Sequence, residues 1–189
     1  MNRVLIVSST EKSITVFLEI LSHHTYEEIV TVMNCGEARR LFIERDFDLC
    51  IINAPLFDEY GDRLALSIMA GSICQVILVV KAELYDEVSE KVEDYGVFTV
   101  AKPINKNIFW SALKLSQASY NKMSKMEKEN KKLLQKIEDI RIVDRAKCVL
   151  IENLKMTEPQ AHKHIEKQAM DLRLTKKTVA KRILSMYEQ

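Results

Sequence analysis

Five short apolar runs, each followed by a segment with helical spacing, constrain the fold of this chain more than any other feature. The runs that predict strands are residues 3–7, 29–33, 49–52, 76–80 and 97–100. Continuous apolar runs of this length are typical of strands that are covered on both faces. The segments between them, such as residues 11–22 and 83–95, predict amphipathic helices. This alternation predicts a doubly wound α/β domain with a five-stranded parallel sheet over residues 1–115, whose site would lie at the carboxyl ends of the strands.

The pattern changes after Pro103, where a long segment without proline or glycine begins. Over residues 116–140, apolar residues recur at alternating spacings of three and four, which predicts a dimeric parallel coiled coil. The predicted dimerisation seam consists of Met123, Met126, Asn130, Leu133, Ile137 and Ile140. Asn130 occupies an a position, where a buried asparagine fixes the register at a cost in stability. The alternative is a single long surface helix that packs on its own domain.

Residues 141–189 predict three helices. The first continues the coiled-coil helix, the second begins at a capping box formed by Thr157 and Gln160, and the third begins after Thr175. Three helices in about fifty residues bury only a small core, so we expect this segment to depend on dimerisation.

Charge is distributed unevenly between the two ends of the chain. Residues 1–120 contain 11 basic and 17 acidic side chains, whereas residues 121–189 contain 17 basic and 10 acidic ones. The net charge of +1 conceals this difference. A basic carboxyl-terminal segment beside an acidic domain indicates that only the carboxyl-terminal part contacts a polyanion.

Several classes of function find no support in the sequence. No run approaches the roughly 20 apolar residues of a membrane span, and the amino terminus lacks a signal-peptide cleavage site. The four cysteines are scattered and form no CxxC pair, which argues against a disulfide framework or a zinc site and favours the reducing cytoplasm. No catalytic triad pattern or phosphate-binding glycine loop is present. We therefore expect a cytoplasmic protein that is not an enzyme and uses no metal or cofactor.

Specific residues in both halves resemble known families. Residues 141–150 resemble the first helix of the ANTAR domain, the RNA-binding antitermination module of bacteria, with Cys148 where glycine is usual. Matches to its second and third helices are Thr157, Glu158, Ala161, residues 168–170 and residues 178–180. Residues 138–186 thus resemble this domain as a whole, and residues 1–115 resemble the receiver domain of two-component response regulators.

The receiver resemblance also indicates what this chain lacks. A working receiver has an acidic pair after the first strand, an acceptor aspartate after the third, and a threonine or serine after the fourth. At these positions the chain has Ser8 and Ser9, then Asn53, then Lys81, and only Lys102 keeps its type. We therefore predict a degenerate receiver that binds no magnesium and is not phosphorylated. Lys81 and Lys102 either point into solvent or capture an acidic group from a partner.

The ANTAR resemblance implies a dimer that binds paired stem-loops in a nascent leader transcript and so prevents a terminator hairpin from forming. A sensor or ligand-binding regulatory protein would supply the input signal. The candidate RNA-binding residues are Arg145, Lys147, Lys167, Arg173, Lys176, Lys177 and Lys181. The alternatives are a DNA-binding response regulator and a protein-interaction module without nucleic-acid binding.

The start of the third predicted helix is the most informative part of that set. Lys176 and Lys177 are expected in its first turn, where the helix dipole disfavours cations. A phosphate bound there would explain them, since helix amino termini bind anions. On this reasoning, their joint replacement by alanine leaves the fold intact or slightly more stable.

Overall fold

A computed structural model describes residues 1–187 of the chain, which divides into two compact units. The first unit comprises residues 1–125 and the second begins at Met126. One uninterrupted helix belongs to both, and the predicted domain limits at residues 115 and 140 fall inside it.

The first unit contains the predicted five-stranded parallel sheet. Its strands are β1 (Arg3–Ser8), β2 (Glu28–Val32), β3 (Leu49–Asn53), β4 (Gln75–Lys81) and β5 (Phe98–Lys102). All pairings are parallel and the strand order is β2-β1-β3-β4-β5. This is the doubly wound order in which the reversal between β1 and β3 opens a crevice at the carboxyl ends of the strands. The predicted fold class is confirmed.

Seven helices follow the predicted pattern within residues 1–187. They are α1 (Glu11–Leu21), α2 (Cys35–Glu44), α3 (Asp62–Gly71), α4 (Tyr85–Val92), α5 (Lys106–Leu154), α6 (Glu158–Leu172) and α7 (Lys176–Tyr187). Short 3-10 turns, Ala82–Leu84 and Glu93–Tyr95, flank α4. None of the helices in this part of the chain has both the length and the apolar character that crossing a bilayer requires.

Two apolar layers cover the sheet because side chains alternate between the faces of a strand. Val4 and Ile6 of β1 pack in one layer with Phe17 of α1 and Phe109 of α5, whose rings lie 5.7 Å apart. Leu5, between them, points to the opposite layer, which α2, α3 and α4 cover. The first unit therefore has a core on each face, as the continuous apolar runs predict.

The cysteines behave largely as small apolar side chains. Cys35, Cys50 and Cys74 are buried, and Cys148 is exposed. Burial raises the pKa of Cys74 above its ordinary value, so its thiol stays protonated.

The amino end of the sheet fastens the first part of α5. Asp48, which is 8% exposed, precedes β3 and accepts hydrogen bonds from the backbone N–H groups of Asn2 and Arg3. The Tyr120 hydroxyl of α5 donates to the other carboxylate oxygen at 2.6 Å. Burial opposes ionisation of Asp48, yet these donors outweigh it and hold the pKa of this carboxyl below its usual value. The carboxylate thus joins the chain start, β3 and α5.

A second contact lies beside this one. The side-chain amide of Gln75, at the start of β4, lies 3.4 Å from the sulfur of Met123. Met123 is the first residue of the predicted dimerisation seam, but the structure gives it a partner within its own unit. The role of Met123 in the dimerisation seam stays a prediction.

The other apolar residues of the predicted seam lie in the second unit and are exposed in the single chain. Their exposed fractions are 59% for Met126, 57% for Leu133, 48% for Ile137 and 60% for Ile140. Such a row is available to a partner helix, and the coiled-coil dimer stays a prediction.

The second unit contains the predicted three-helix bundle, built from the end of α5, α6 and α7. Its core consists of Ala146, Val149, Leu150, Ala161, Ile165, Ala169, Val179, Ala180 and Ile183. The Thr157 N–H donates to Gln160 Oε1 at 2.8 Å, as a capping box requires. The Thr178 N–H donates to the Thr175 hydroxyl at 3.2 Å, which fixes the start of α7. Both helix starts occur where the sequence predicts them.

We expect Tyr120→Phe to lower the free energy of unfolding by about 1–2 kcal/mol, because the buried Asp48 carboxylate loses a donor. Urea unfolding at neutral pH measures this change. Tyr95→Phe is the matched control, since Tyr95 is 59% exposed. Because the folded-state pKa of Asp48 is lowered, its contribution is complete above about pH 4 and is lost as the pH falls further. A difference between variant and wild type that did not narrow in acid would contradict this assignment.

Candidate phosphorylation pocket and nucleic-acid interface

The carboxyl edge of the sheet brings the predicted receiver residues together. In the strand register, Ser8 lies beside Asn53 and Lys81 lies beside Lys102. Ser8 is fully buried, Asn53 is 5% exposed, and the Asn53 amide donates to the Ser8 hydroxyl at 3.0 Å. The positions at which a receiver holds carboxylates thus contain a neutral pair that satisfies part of its own hydrogen bonding.

Asp58, an acidic residue five positions after Asn53, is engaged elsewhere. The two carboxylate oxygens of Asp58 accept the backbone N–H groups of Cys35 at 3.0 Å and Gly36 at 2.9 Å, at the start of α2. Asp58 therefore serves as a cap for that helix. Within residues 1–187 no group of three or more His, Cys, Asp or Glu side chains is placed to hold a metal ion.

The two lysines of this edge differ in their surroundings. Lys102 is partly buried, and its ammonium group donates to the carbonyl oxygen of Ala54, directly after β3. Burial, together with the neighbouring charge of Lys81, lowers the pKa of Lys102. Lys81 is exposed at the end of β4. The Ser9 hydroxyl nearby donates to the carbonyl oxygen of Pro55 at 3.3 Å.

The side chains at this edge lack the groups that receiver chemistry uses. The Asn53 amide has no carboxylate oxygen with which to form an acyl phosphate, and magnesium prefers carboxylate ligands that Ser8 and Ser9 do not offer. The edge thus combines a neutral pair, Ser8 and Asn53, with two basic side chains, Lys81 and Lys102.

In the second unit, some of the candidate RNA-binding residues form ion pairs within the bundle. Lys147 is one of them, since its side chain is 16% exposed and lies 2.8 Å from both Asp144 and Glu158. These ion pairs raise its pKa and link α5 to α6. This side chain thus has a structural role in the bundle.

The two lysines at the start of α7 are also paired. Lys176 contacts Glu166 of α6, and Lys177 lies 2.6 Å from Asp139 of α5. These carboxylates offset the unfavourable helix dipole, so a bound phosphate is not needed to explain the lysines. The expectation that their joint replacement leaves stability unchanged or raised is therefore corrected. The replacement removes two ion pairs across the bundle.

The remaining candidates are exposed. Lys167 projects from α6, Arg145 lies on α5, and Arg173 ends α6 in a left-handed conformation with φ of 51°. Lys181 lies one turn after Lys177. The hydrogen bond from Lys177 is the largest cause that lowers the pKa of Asp139, and the charge of Lys181 adds to it. The structure thus places Lys177 and Lys181 together, whereas Lys167 lies on a different helix.

The bundle also contains a cavity of about 420 Å³ that sequence reasoning missed. Its lining is partly apolar and partly polar, and consists of Leu150, Leu154, His164, Gln168, Asp171, Leu172, Arg182, Ile183, Met186 and Tyr187. Tyr187 is the only aromatic residue after Tyr120. Met186 and Leu172 are 72% and 52% exposed. Helical spacing predicts which apolar residues face the core. It does not indicate which apolar side chains remain exposed at the rim of a cavity.

The bundle matches a known protein family. Residues 131–184 match the family model of the ANTAR domain. The second unit contains an ANTAR domain. The transcriptional regulatory protein PdtaR of Mycobacterium tuberculosis is 29% identical over 167 residues, which cover 88% of this chain and 81% of that protein. The similarity therefore extends from the ANTAR domain into the first unit.

Solved structures resemble the first unit. The signal receiver domain of an HD domain-containing protein from Pseudomonas fluorescens matches 66% of this chain and 92% of its own, with 19% identity and a TM-score of 0.59. The response regulator protein TrrA from Thermotoga maritima, solved in complex with Mg²⁺-BeF, matches 61% and 99%, with 23% identity and a TM-score of 0.53. The chain thus joins a receiver fold to an ANTAR domain.

We expect acetyl phosphate with magnesium to leave the mass of the intact protein unchanged, because Asn53 cannot accept a phosphoryl group. Intact-mass spectrometry tests this, with an active receiver as the positive control. A stable gain of one phosphoryl mass that maps to residues 49–58 would contradict the prediction.

Proposed function

We propose that this protein is a dimeric antitermination regulator whose ANTAR domains bind paired stem-loops in a nascent leader transcript. The observation that carries the proposal is the match of residues 131–184 to the ANTAR domain. The excess of basic over acidic side chains in residues 121–189 supports a polyanionic partner. Binding of the stem-loops would keep a terminator hairpin from forming.

Dimerisation would occur along the exposed part of the seam on α5. Met126, Leu133, Ile137 and Ile140 are each about half exposed or more in the single chain, and Asn130 lies among them. Burying these apolar side chains against a second copy is favourable, and paired asparagines would fix the register. Two ANTAR domains would then meet two RNA loops.

The basic start of α7 is the proposed phosphate-binding surface. Arg173, Lys176, Lys177 and Lys181 occur within nine residues of chain, beside the backbone N–H groups of the helix start. The partners of the two paired lysines, Glu166 and Asp139, lie on partly exposed ion pairs that are weak in water. An RNA phosphate can therefore replace these carboxylates at low cost.

The cavity of the ANTAR domain is the proposed place for an unpaired loop base. Sequence-specific RNA recognition targets splayed bases, which stack on flat side chains and use their edges for hydrogen bonds. Tyr187 and Arg182 provide flat surfaces there, and the His164–Gln168 pair, with 3.0 Å between its nitrogen atoms, provides hydrogen-bonding groups. A mixed lining of this kind suits a base better than a purely apolar ligand.

The receiver domain would serve as a docking surface for an input signal, without catalytic activity and without a cofactor. A sensor or ligand-binding regulatory protein is the proposed source of that signal. Because nascent bacterial transcripts are made in the cytoplasm, the protein would act there.

We expect Lys176→Ala combined with Lys177→Ala to weaken binding of a two-hairpin leader RNA. The slope of log affinity against log salt should shrink by roughly 0.7 to 0.9 per lost phosphate contact. Salt-titrated gel shifts measure both effects. Because two ion pairs are lost, the variant should also unfold slightly more easily, by about 1 kcal/mol or less.

The matched control is Lys128→Ala combined with Lys132→Ala, which removes the same charge from exposed positions of α5 outside the seam. Equal affinity and salt slope in both double variants would overturn the α7 surface. Tighter binding of duplex DNA than of hairpin RNA would favour a DNA-binding regulator instead. Absence of binding to either nucleic acid would leave a protein-interaction module.

We expect Asn130→Leu to raise the thermal stability of the dimer and to produce species larger than a dimer. Removing a buried polar residue from an a position improves packing but abolishes its control of oligomer state. Sedimentation measures the species. A wild type that is monomeric at every concentration tested would refute the coiled coil.

A further inference from the structure

Two lysines lie side by side at the carboxyl edge of the receiver sheet. Lys81 and Lys102 are paired in the register of β4 and β5, and each ends its strand. Among residues 1–187 neither forms an ion pair with a carboxylate. Two neighbouring cations are unfavourable unless something compensates them.

The position of Lys102 makes this cost larger. Its ammonium group is partly buried and is directed to the Ala54 carbonyl, so it cannot turn freely into solvent. The charge of Lys81 adds to burial in lowering its pKa, which shows that the two groups affect each other. A stability-optimised edge would contain an acid or an uncharged residue at one of these positions.

The remaining groups of the edge suit an anion and not a metal ion. Ser8 and Asn53 are neutral and hydrogen-bonded to each other, and the partly exposed Ser9 hydroxyl donates to the carbonyl oxygen of Pro55. Asp58, five residues after the end of β3, accepts backbone N–H groups at the start of α2. The strand ends of this edge therefore carry positive charge and no carboxylate to repel an oxyanion. Glu11 and Glu83, two residues beyond Ser9 and Lys81, are exposed to solvent.

We propose that this edge binds an oxyanion, the phosphate or carboxylate group of a ligand, directly and without a metal ion. Lys81 forms the exposed half of the site and Lys102 the fixed half. The bound anion supplies the charge compensation that the fold lacks, so the ligand stabilises the receiver domain. In this way the former phosphorylation pocket receives a signal by binding instead of by covalent modification. The proposal does not depend on RNA binding by the ANTAR domain.

The test uses the full chain in EDTA at constant ionic strength. Inorganic phosphate and acetate are titrated against chloride, and binding is followed by thermal unfolding and by amide shifts of Ser9 and Lys81. We expect at least one of the two anions to bind, and Lys81→Met to weaken its binding at least tenfold. Lys122→Met, which removes an exposed charge next to Met123 at the far end of the sheet, is expected to leave binding unchanged.

The preferred anion identifies the source of the ligand group. Preference for phosphate indicates a phosphorylated metabolite, and preference for acetate indicates an organic acid or an acidic side chain of a partner protein. Binding that persists in Lys81→Met, that falls equally in Lys122→Met, or that requires magnesium would overturn the proposal. So would the absence of any effect beyond that of chloride. Since Lys81 is exposed, its replacement is not expected to disturb folding.

Discussion

The attachment of α5 to the sheet of the first unit depends on the hydrogen bonds to Asp48. A buried carboxylate is stable only if its lone pairs are satisfied, and here the partners come from the chain start and from Tyr120. The contact spans 72 residues of sequence, so it ties the long helix to the sheet independently of the apolar layer around Phe109. Met123 extends the same attachment to Gln75. Within the first unit, the helix is therefore held to the sheet by polar as well as apolar contacts.

The two ends of the sheet have separate tasks in this protein. The amino end is mechanical, because Asp48 and Gln75 hold the helix that continues into the ANTAR domain. The carboxyl end carries the chemistry in receivers. In this chain the neutral residues Ser8, Ser9 and Asn53 stand at the acidic positions, and Lys81 stands at the threonine or serine position. Asparagine at position 53, in place of an acceptor aspartate, is compatible with the fold, since its amide donates a hydrogen bond to Ser8 within the buried edge. The receiver fold can thus be retained although the side chains that would receive a phosphoryl group are replaced.

In the ANTAR domain the same lysines serve stability and, in our proposal, recognition. Lys176 and Lys177 connect α7 to the other two helices through exposed carboxylates. Such pairs contribute little in water and can be exchanged for phosphate contacts without unfolding the bundle. Lys147 differs in that its own side chain is only 16% exposed, and its pair with Glu158 links α5 to α6.

The sequence by itself determined the fold class, the strand and helix order, the helix starts at Thr157 and Thr175, and the residues that replace the receiver acids. These follow from local patterns: apolar periodicity, capping chemistry and the identity of single side chains. The tertiary structure alone decided that Tyr120 bonds to Asp48, that Met123 contacts Gln75, that Lys176 and Lys177 have carboxylate partners, and that a cavity lies beside Tyr187. Each of these joins residues distant along the chain. Because charge pairing and cavity shape depend on which side chains meet in space, periodicity along the chain does not contain them.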